Sequence, residues 1–340
     1  MNVGIIGCGL IGKKRALALS PDDSIVGCYD VDDHVRESFA RQFRCRTYAD
    51  NLSLLQDDSC EAVIVAVVNK FAKDLAIEAL EHSKHVLVEK PLGRNVAEAK
   101  EIMDRWRQGG KATTLKVGFN HRFHPAIWKA KQLVDEGAIG QLISIRARYG
   151  HGGRPGMENE WRASRDLCGG GELLDQGVHL IDLIRWFGGN VAKVYGKVET
   201  KVWDMEVEDS AFAILETEQA VTASFHVSWF NWKNIFSFEV FGVEGYIRVE
   251  GLGGSYGPET LEIGRRKKEG GRPHIETLTF PPEDSSWEEE WKEFKLAIQE
   301  KREPLGNGYD GLKANEVVEA IYESSKRRCE VSLRSMGFTC

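Results

Sequence analysis

Six consecutive residues, Gly7-Cys8-Gly9-Leu10-Ile11-Gly12, restrict what this chain can fold into more than any other stretch. They follow the β-rich run Val3 to Ile6 and open the helical pattern Lys13 to Leu19. In that setting each glycine has its own task. Gly7 permits a tight turn, Gly9 lets backbone approach a pyrophosphate, and Gly12 lets the helix pack close to the strand, while the first helical N–H groups complement phosphate charge. Gly7, Gly9, Leu10, Ile11 and Gly12 are therefore the expected dinucleotide cradle. Asp30 ends the second β-rich run, 18 residues after Gly12, where an acid accepts hydrogen bonds from the adenosine ribose hydroxyls. Val31, Asp32 and Asp33 follow, and no arginine comes before Arg36. An acidic patch repels a 2′-phosphate, which predicts NAD in preference to NADP.

The rhythm that follows fits this start. Ile25 to Tyr29, Ala62 to Val68, His85 to Glu89 and Leu115 to Phe119 alternate with helical patterns at Val35 to Phe43, Lys73 to Glu81 and Val96 to Trp106. Buried strands separated by crossover helices predict an α/β fold for residues 1–120, a Rossmann domain with a doubly wound parallel sheet. After Asn120 the pattern changes. A helix at Pro125 to Val134 leads into strands at Leu142 to Tyr149, Val194 to Val202, Ala211 to Glu216, Val221 to Ser228, Phe236 to Phe241 and Tyr246 to Glu250. Connections this short make successive strands antiparallel neighbours. Residues 121–340 are thus expected to form an α+β domain with one large open, mainly antiparallel sheet. The helix Glu172 to Phe187 would cover one face, leaving the other for a second subunit, hence a homodimer or homotetramer. Gly264 to His274 reads as a solvated hairpin or loop, and two domains leave a cleft for a substrate.

Composition narrows the partners. A formal charge of −7 over 340 residues argues against a nucleic-acid binder. Apolar runs stop short of the ~18 residues that a membrane span needs. The first residues lack the basic and apolar regions of a secretory leader, so the cytoplasm is expected. Seven cysteines, at 8, 28, 45, 60, 168, 329 and 340, include no Cys-x-x-Cys pair and read as reduced thiols.

Three further stretches carry chemistry. Glu89-Lys90-Pro91 ends the fourth apolar run, and Pro91 keeps Lys90 extended at the carboxyl edge of the sheet. By itself, a lysine before proline is commonly a solvated loop residue. After Gly169-Gly170-Gly171, Asp175 and His179 stand four apart on one helical face, where a carboxylate can orient an imidazole that accepts protons near neutral pH. The pair alone reads equally well as a helix-surface hydrogen bond. Trp161 and Arg162, with His151 and Arg154, lie in a Gly-rich segment suited either to a carbohydrate pocket or to packing. His121 and His124 lack the acidic or Cys ligands that a metal pair needs at usual spacing, and no metal is expected.

Taken together, the glycine loop, Asp30, Glu89-Lys90-Pro91, Gly118-Phe119-Asn120 with Arg122, and Gly169 to His179 occur in an order that resembles the Gfo/Idh/MocA oxidoreductases across nearly the whole chain. The resemblance implies a catalytic group of Lys90, Asp175 and His179, a cis bond before Pro91, and cofactor contacts from Asn69, Glu89 and Lys90. It also implies substrate contacts from Lys90, Asn120, Arg122, Asp175 and His179, to which Trp161 and Arg162 add. Val67 to Ala72 departs from the family's Thr-Pro-Asn-x-x-His pattern and keeps only Asn69. The implied activity is hydride transfer between NAD and a secondary alcohol or ketone of a sugar, cyclitol or sugar derivative, nucleotide-sugars included. Two rivals are an NAD-dependent glycoside hydrolase without net redox change and a non-catalytic NAD-sensing or scaffold protein.

Overall fold

In the computed structural model, residues 1–333 are described, and Cys340 lies outside them. They form two compact units, Met1–Asn120 with Asp166–Gly169 and Trp287–Leu312, and His121–Arg165 with Gly170–Ser286 and the chain from Lys313.

The first unit is built on six parallel strands, β1 (Asn2–Ile6), β2 (Ser24–Tyr29), β3 (Arg46–Thr47), β4 (Ala62–Val65), β5 (His85–Val88) and β6 (Leu115–Val117), in the order β3-β2-β1-β4-β5-β6. The order reverses between β1 and β4, so a crevice opens beyond their carboxyl ends. Helices cover both faces, which is why β4 and the last three residues of β5 are buried throughout and read as unbroken apolar runs. Asp32 caps the helix Asp33–Phe43 at the His34 and Val35 amides, and Asn95 caps Val96–Gln108 at Glu98. Each such cap contributes about 1 kcal/mol. The two-residue β3 was absent from the sequence reading because exposed Arg46 and Thr47 carry no apolar alternation.

A division at residue 120 omits two returns of the chain to this unit. The helix Ser286–Glu300 inserts Trp291 and Phe294 into the same core cluster as Val3, Ile5, Phe39 and Leu87. Buried aromatic area of this kind holds a helix to its core at any distance along the sequence.

The second unit holds a nine-stranded sheet, made of β7 (Leu142–Gly150), β8 (Val191–Glu199), β9 (Ser210–Thr217), β10 (Thr222–Ser228), β11 (Ile235–Gly242), β12 (Gly245–Glu250), β13 (Thr260–Arg265), β14 (His274–Thr279) and β15 (Val331–Ser332). Its order is β14-β13-β12-β11-β7-β10-β9-β8-β15. Pairing is antiparallel except between β7 and β10. The expectation that successive strands lie side by side fails at three places, β7–β8, β10–β11 and β14–β15; β10 and β11 flank β7 on opposite sides, so β7 supplies the middle of the sheet. The polar stretch 266–273 connects β13 to β14 as a hairpin.

Ile145, Ala147, Leu215, Phe225, Val227 and Phe238 form the buried face of this sheet. The opposite face exposes Tyr195, Phe212 and Ile214 among Arg146 and Lys197. The helix expected over Glu172 to Phe187 is not regular. A π-helical turn at Leu173–Gly177 precedes the α-helix Val178–Gly188. Such turns widen the helix locally and recur at functional sites.

Candidate active site

In the first unit, the glycine loop joins β1 to the helix Leu10–Leu17. Gly7 has φ +92°, and a Cβ there would lie 2.2 Å from the Ala66 carbonyl oxygen. At Gly12 a Cβ would lie 2.0 Å from the Gly7 oxygen, so helix and loop touch with no room for a side chain. Gly9 is different. Its φ of −72° suits any residue, and a Cβ there would meet nothing within 4 Å. Folding does not demand glycine at position 9; what its missing side chain keeps clear is space for a ligand over the amino end of the helix, as a pyrophosphate requires.

Asp30 braces this loop. Its Oδ2 accepts from the Cys8 amide at 2.8 Å and its Oδ1 from the Asp32 amide at 3.0 Å. Arg36 donates to the Asp30 backbone carbonyl at 3.0 Å and pairs with Asp33 at 2.7 Å, so its charge is already met by a carboxylate. The cradle and Asp30 fit a dinucleotide with an unmodified ribose.

Lys90 follows β5 and joins Pro91 through a cis bond. Its neighbour Glu89, expected to touch the cofactor, accepts from Arg15 Nε at 2.5 Å instead of standing free for a ligand. Arg15 lies on the glycine-loop helix, is buried, stacks on Trp287 at 4.4 Å, and pairs with Glu290 at 2.5 Å. Burial works against the guanidinium charge, but Glu290 and Glu89 outweigh it and hold its pKa above the ordinary value. Lys116 pairs with Glu290 at 3.4 Å, which balances two cations with two carboxylates. Asn69 also has a protein partner: its Nδ2 donates to the Cys168 carbonyl at 2.8 Å. Lys70 and Arg94 both reach Asp166, so the chain segment 166–169 is clipped to this unit. Asn120 is buried at the start of the 3₁₀ turn Asn120–Phe123.

In the second unit, Asp175 sits in the π-turn, its amide donating to the Gly171 carbonyl at 2.8 Å. Arg162 approaches its carboxylate at 3.5 Å and lies 4.4 Å over the ring of Trp161. Asp175 is thereby brought to the adjacent pair Trp161 and Arg162, which lie on the other side of the Gly169-Gly170-Gly171 run. His151 belongs to the same group: burial pushes its imidazole pKa down, against the pull of Asp175. His179 is the second residue of the following helix. It is buried and stacks on His121 with ring centroids 3.8 Å apart and planes inclined by 23°. Tyr149 stands at 5.0 Å from His121 and 5.5 Å from Tyr256, and Gln176 donates to the Tyr256 hydroxyl at 3.2 Å. Burial, reinforced by Tyr256, raises the Tyr149 phenol well above its usual range. Sequence alone gives none of Tyr149, Gln176 and Tyr256 a role at the site, because a strand tyrosine or a loop tyrosine carries no spacing signal.

One expected substrate contact is corrected. Arg122 makes a two-pronged pair with Asp182 at 2.7 and 2.5 Å, both side chains buried, and lies 5.4 Å from the Trp186 ring. A guanidinium so enclosed braces the helix Val178–Gly188 and leaves no face for a substrate. His124, the other half of the rejected metal pair, contacts Glu259 at 3.2 Å.

A parallel sheet with an open glycine cradle, followed by a unit whose sheet supports the Asp175–Arg162 pair and buried His179, defines a two-unit dinucleotide-binding protein. Residues 1–119 match the oxidoreductase family, NAD-binding Rossmann fold, and residues 127–248 match the GFO/IDH/MocA C-terminal domain. The chain belongs to the Gfo/Idh/MocA oxidoreductase family. Levoglucosan dehydrogenase of Pseudarthrobacter phenanthrenivorans is 29% identical over 232 residues, a stretch that takes in 64% of this chain and 58% of that protein. D-xylose 1-dehydrogenase (NADP(+)) 2 of Haloferax volcanii is 27% identical over 345 residues, covering 98% of this chain and 100% of that one. The solved structure of a levoglucosan dehydrogenase in complex with NADH shares the fold with a TM-score of 0.90, at 24% identity, over 98% of this chain and 99% of that one. No helix among the described residues is long and apolar enough to cross a membrane.

Proposed function

We propose that this protein is an NAD-dependent dehydrogenase that oxidises, reversibly, a secondary alcohol of a sugar, cyclitol or sugar derivative. The observation that carries the reading is the grouping of Asp175, Arg162 and Trp161 beside a π-turn that leads directly into buried His179. A carboxylate, a guanidinium and an indole in one group suit a polyhydroxylated ring, with polar edges for its hydroxyls and an aromatic face for its C–H groups. Bound NAD supplies a nicotinamide carbon that accepts hydride. His179 takes the hydroxyl proton. Lys90 binds the same oxygen and offsets the negative charge that grows there. Asp175 holds a neighbouring hydroxyl and keeps His179 in a proton-accepting orientation. Asp30, braced at the glycine loop, receives the ribose hydroxyls and opposes a 2′-phosphate; since one relative is named for NADP, these local residues, not the family, decide the preference.

A panel of cyclitols, aldoses, anhydrosugars and nucleotide-sugars with NAD and NADP, read by absorbance of the reduced cofactor, tests the reading. Stoichiometric NADH from a free sugar or cyclitol is expected. Release of product from a glycoside at constant NADH would replace it with the hydrolase reading.

The sheet face carrying Tyr195, Phe212, Ile214, Arg146 and Lys197 is the proposed contact between copies of the chain, forming a homodimer or homotetramer. Three large exposed apolar side chains with mixed charges around them suit a self-complementary interface. Light scattering at about micromolar concentration is expected to give at least a dimer, and Phe212→Glu should shift it toward monomer; a native monomer would reject this. With six described cysteines as free thiols, its place of work is proposed to be the cytoplasm.

A further inference from the structure

We infer that His121 is a positioning residue for His179: by stacking face to face on its ring, it sets the plane in which His179 receives a proton. The inference rests on the assignment of His179 as proton acceptor and goes beyond it, since His121 belongs to no motif that carries the reading.

A helix fixes the Cβ of a histidine but not its ring, because the terminal torsion is broad and roughly two-fold. A general base, however, works only when its nitrogen points along the substrate O–H. Beyond the orienting role proposed for Asp175, a contact across the face of the ring is needed to fix its plane. His121 comes from the turn Asn120–Phe123, and its imidazole lies 3.8 Å from that of His179 at 23°, both rings buried. His121 is in turn fixed from behind. Tyr149 on β7 and Phe236 on β11 are paired directly across the sheet, and their rings lie 5.0 and 5.9 Å from His121, tilted by 58° and 60°. On its remaining side His124 meets it edge-on at 5.4 Å, and His124 is itself held against Glu259. Two strands and a turn therefore transmit one plane to the ring of His179. The same contact suits the chemistry, because an aromatic face stabilises the positive charge that His179 acquires with the proton.

The test uses the full-length protein labelled with ¹³C-histidine, in native form and as His121→Phe and His121→Ala, with the His179 Cε1–H signal assigned by its loss in His179→Gln. A ring-current displacement of that signal is expected in the native protein, retained in His121→Phe and released in His121→Ala. Single-turnover hydride transfer is then measured with levoglucosan and D-xylose as probes. His121→Ala is expected to lower the transfer rate about tenfold with substrate KM little changed, and His121→Phe to stay within about threefold of native. Absence of the displacement in the native protein overturns the inference, as does a His121→Phe variant that keeps the displacement yet slows as much as His121→Ala. If His179→Gln itself transfers hydride normally, the assignment of the base fails, while the displacement still decides whether the stack exists.

Discussion

The two units reach their sites by opposite routes. In the first, the proposed ligand cradle is written into six adjacent residues: close backbone approaches of 2.2 and 2.0 Å require Gly7 and Gly12, whereas a Cβ at Gly9 would meet nothing within 4 Å. In the second, the candidate site draws on Trp161 and Arg162 before the glycine run, Asp175 and His179 after it, Tyr149 from β7 and Tyr256 from beyond β12. Local chemistry specifies the first and sheet topology the second. A motif therefore identifies the cofactor unit, whereas what the second unit recognises depends on which strands lie side by side.

The largest expected effect concerns the residues that each unit contributes to chemistry. Loss of a positioned acid or base typically costs about a hundredfold to ten-thousandfold in rate, so His179→Ala and Lys90→Ala should each slow hydride transfer on that scale. NAD affinity, which the glycine loop and Asp30 are proposed to set, should change little. Stopped-flow hydride transfer beside calorimetric NAD binding separates the two quantities. Near-normal transfer in both variants would dissolve the catalytic group, and a parallel collapse of NAD affinity would dissolve the division of labour between the units.

Next in size is a comparison inside the glycine loop. Gly12→Ala drives a methyl group into the Gly7 carbonyl and should destabilise the first unit by at least about 1–3 kcal/mol, seen as a lower urea midpoint. Gly9→Ala meets open space and should leave the midpoint within about 0.5 kcal/mol of native while weakening NAD binding about tenfold, or 1.4 kcal/mol. If Gly9→Ala binds NAD normally, the space beside Gly9 is not where the pyrophosphate lies. A smaller change is expected from Asp30→Ser, which removes a carboxylate from the loop's edge and should narrow the preference for NAD over NADP through affinity more than turnover. Catalytic efficiency with NADP already equal in the native enzyme would remove the basis for this effect.

How far each region was legible follows from the same contrast. Strands β4 and β5 stood out most clearly because burial on both faces leaves β4 and the last three residues of β5 wholly apolar, and β1, β2 and β6 continued the same rhythm with fewer apolar residues. The helix Ser286–Glu300 did not reveal its attachment to the first unit, since Trp291 and Phe294 mark an apolar face without naming the core it meets. In the second unit the strands were legible by alternation, but the insertion of β7 between β10 and β11 was not, because short connections favour neighbours and nothing local opposes them. Arg122 illustrates the limit for sites. Its place in a family motif pointed to substrate, and only its distance to Asp182, sixty residues on, turned it into an internal brace. His121 went the other way, set aside as half of an unsupported metal pair until the stack with His179 gave it a partner.

The smallest effect compares one histidine from each unit. The Nδ1 of His85 accepts the Thr114 amide at 3.0 Å, and the Nδ1 of His151 accepts the Gly153 amide at 2.9 Å. Each bond needs an unprotonated nitrogen. Burial lowers both imidazole pKa values below the ordinary 6.5, outweighing Glu61 beside His85 and Asp175 beside His151. The unfolded chain thus takes up protons before the folded one does, so this contribution to stability is complete above the ordinary value and declines as pH falls through it. Hydrogen exchange of the Thr114 and Gly153 amides, measured near about pH 7.5 and about pH 5.5 and corrected for the intrinsic rate, should show weaker protection of both at the lower pH. The loss should be greater at Gly153. Thr114 borders β6, and its carbonyl accepts from the Val86 amide at 2.8 Å, so its exposure requires part of the parallel sheet to open. Gly153 lies in the loop after β7 and can open alone. Equal protection at both pH values would mean that neither nitrogen takes up a proton in this range, and a larger loss at Thr114 would reverse the ranking of a rigid cofactor sheet over a looser substrate loop.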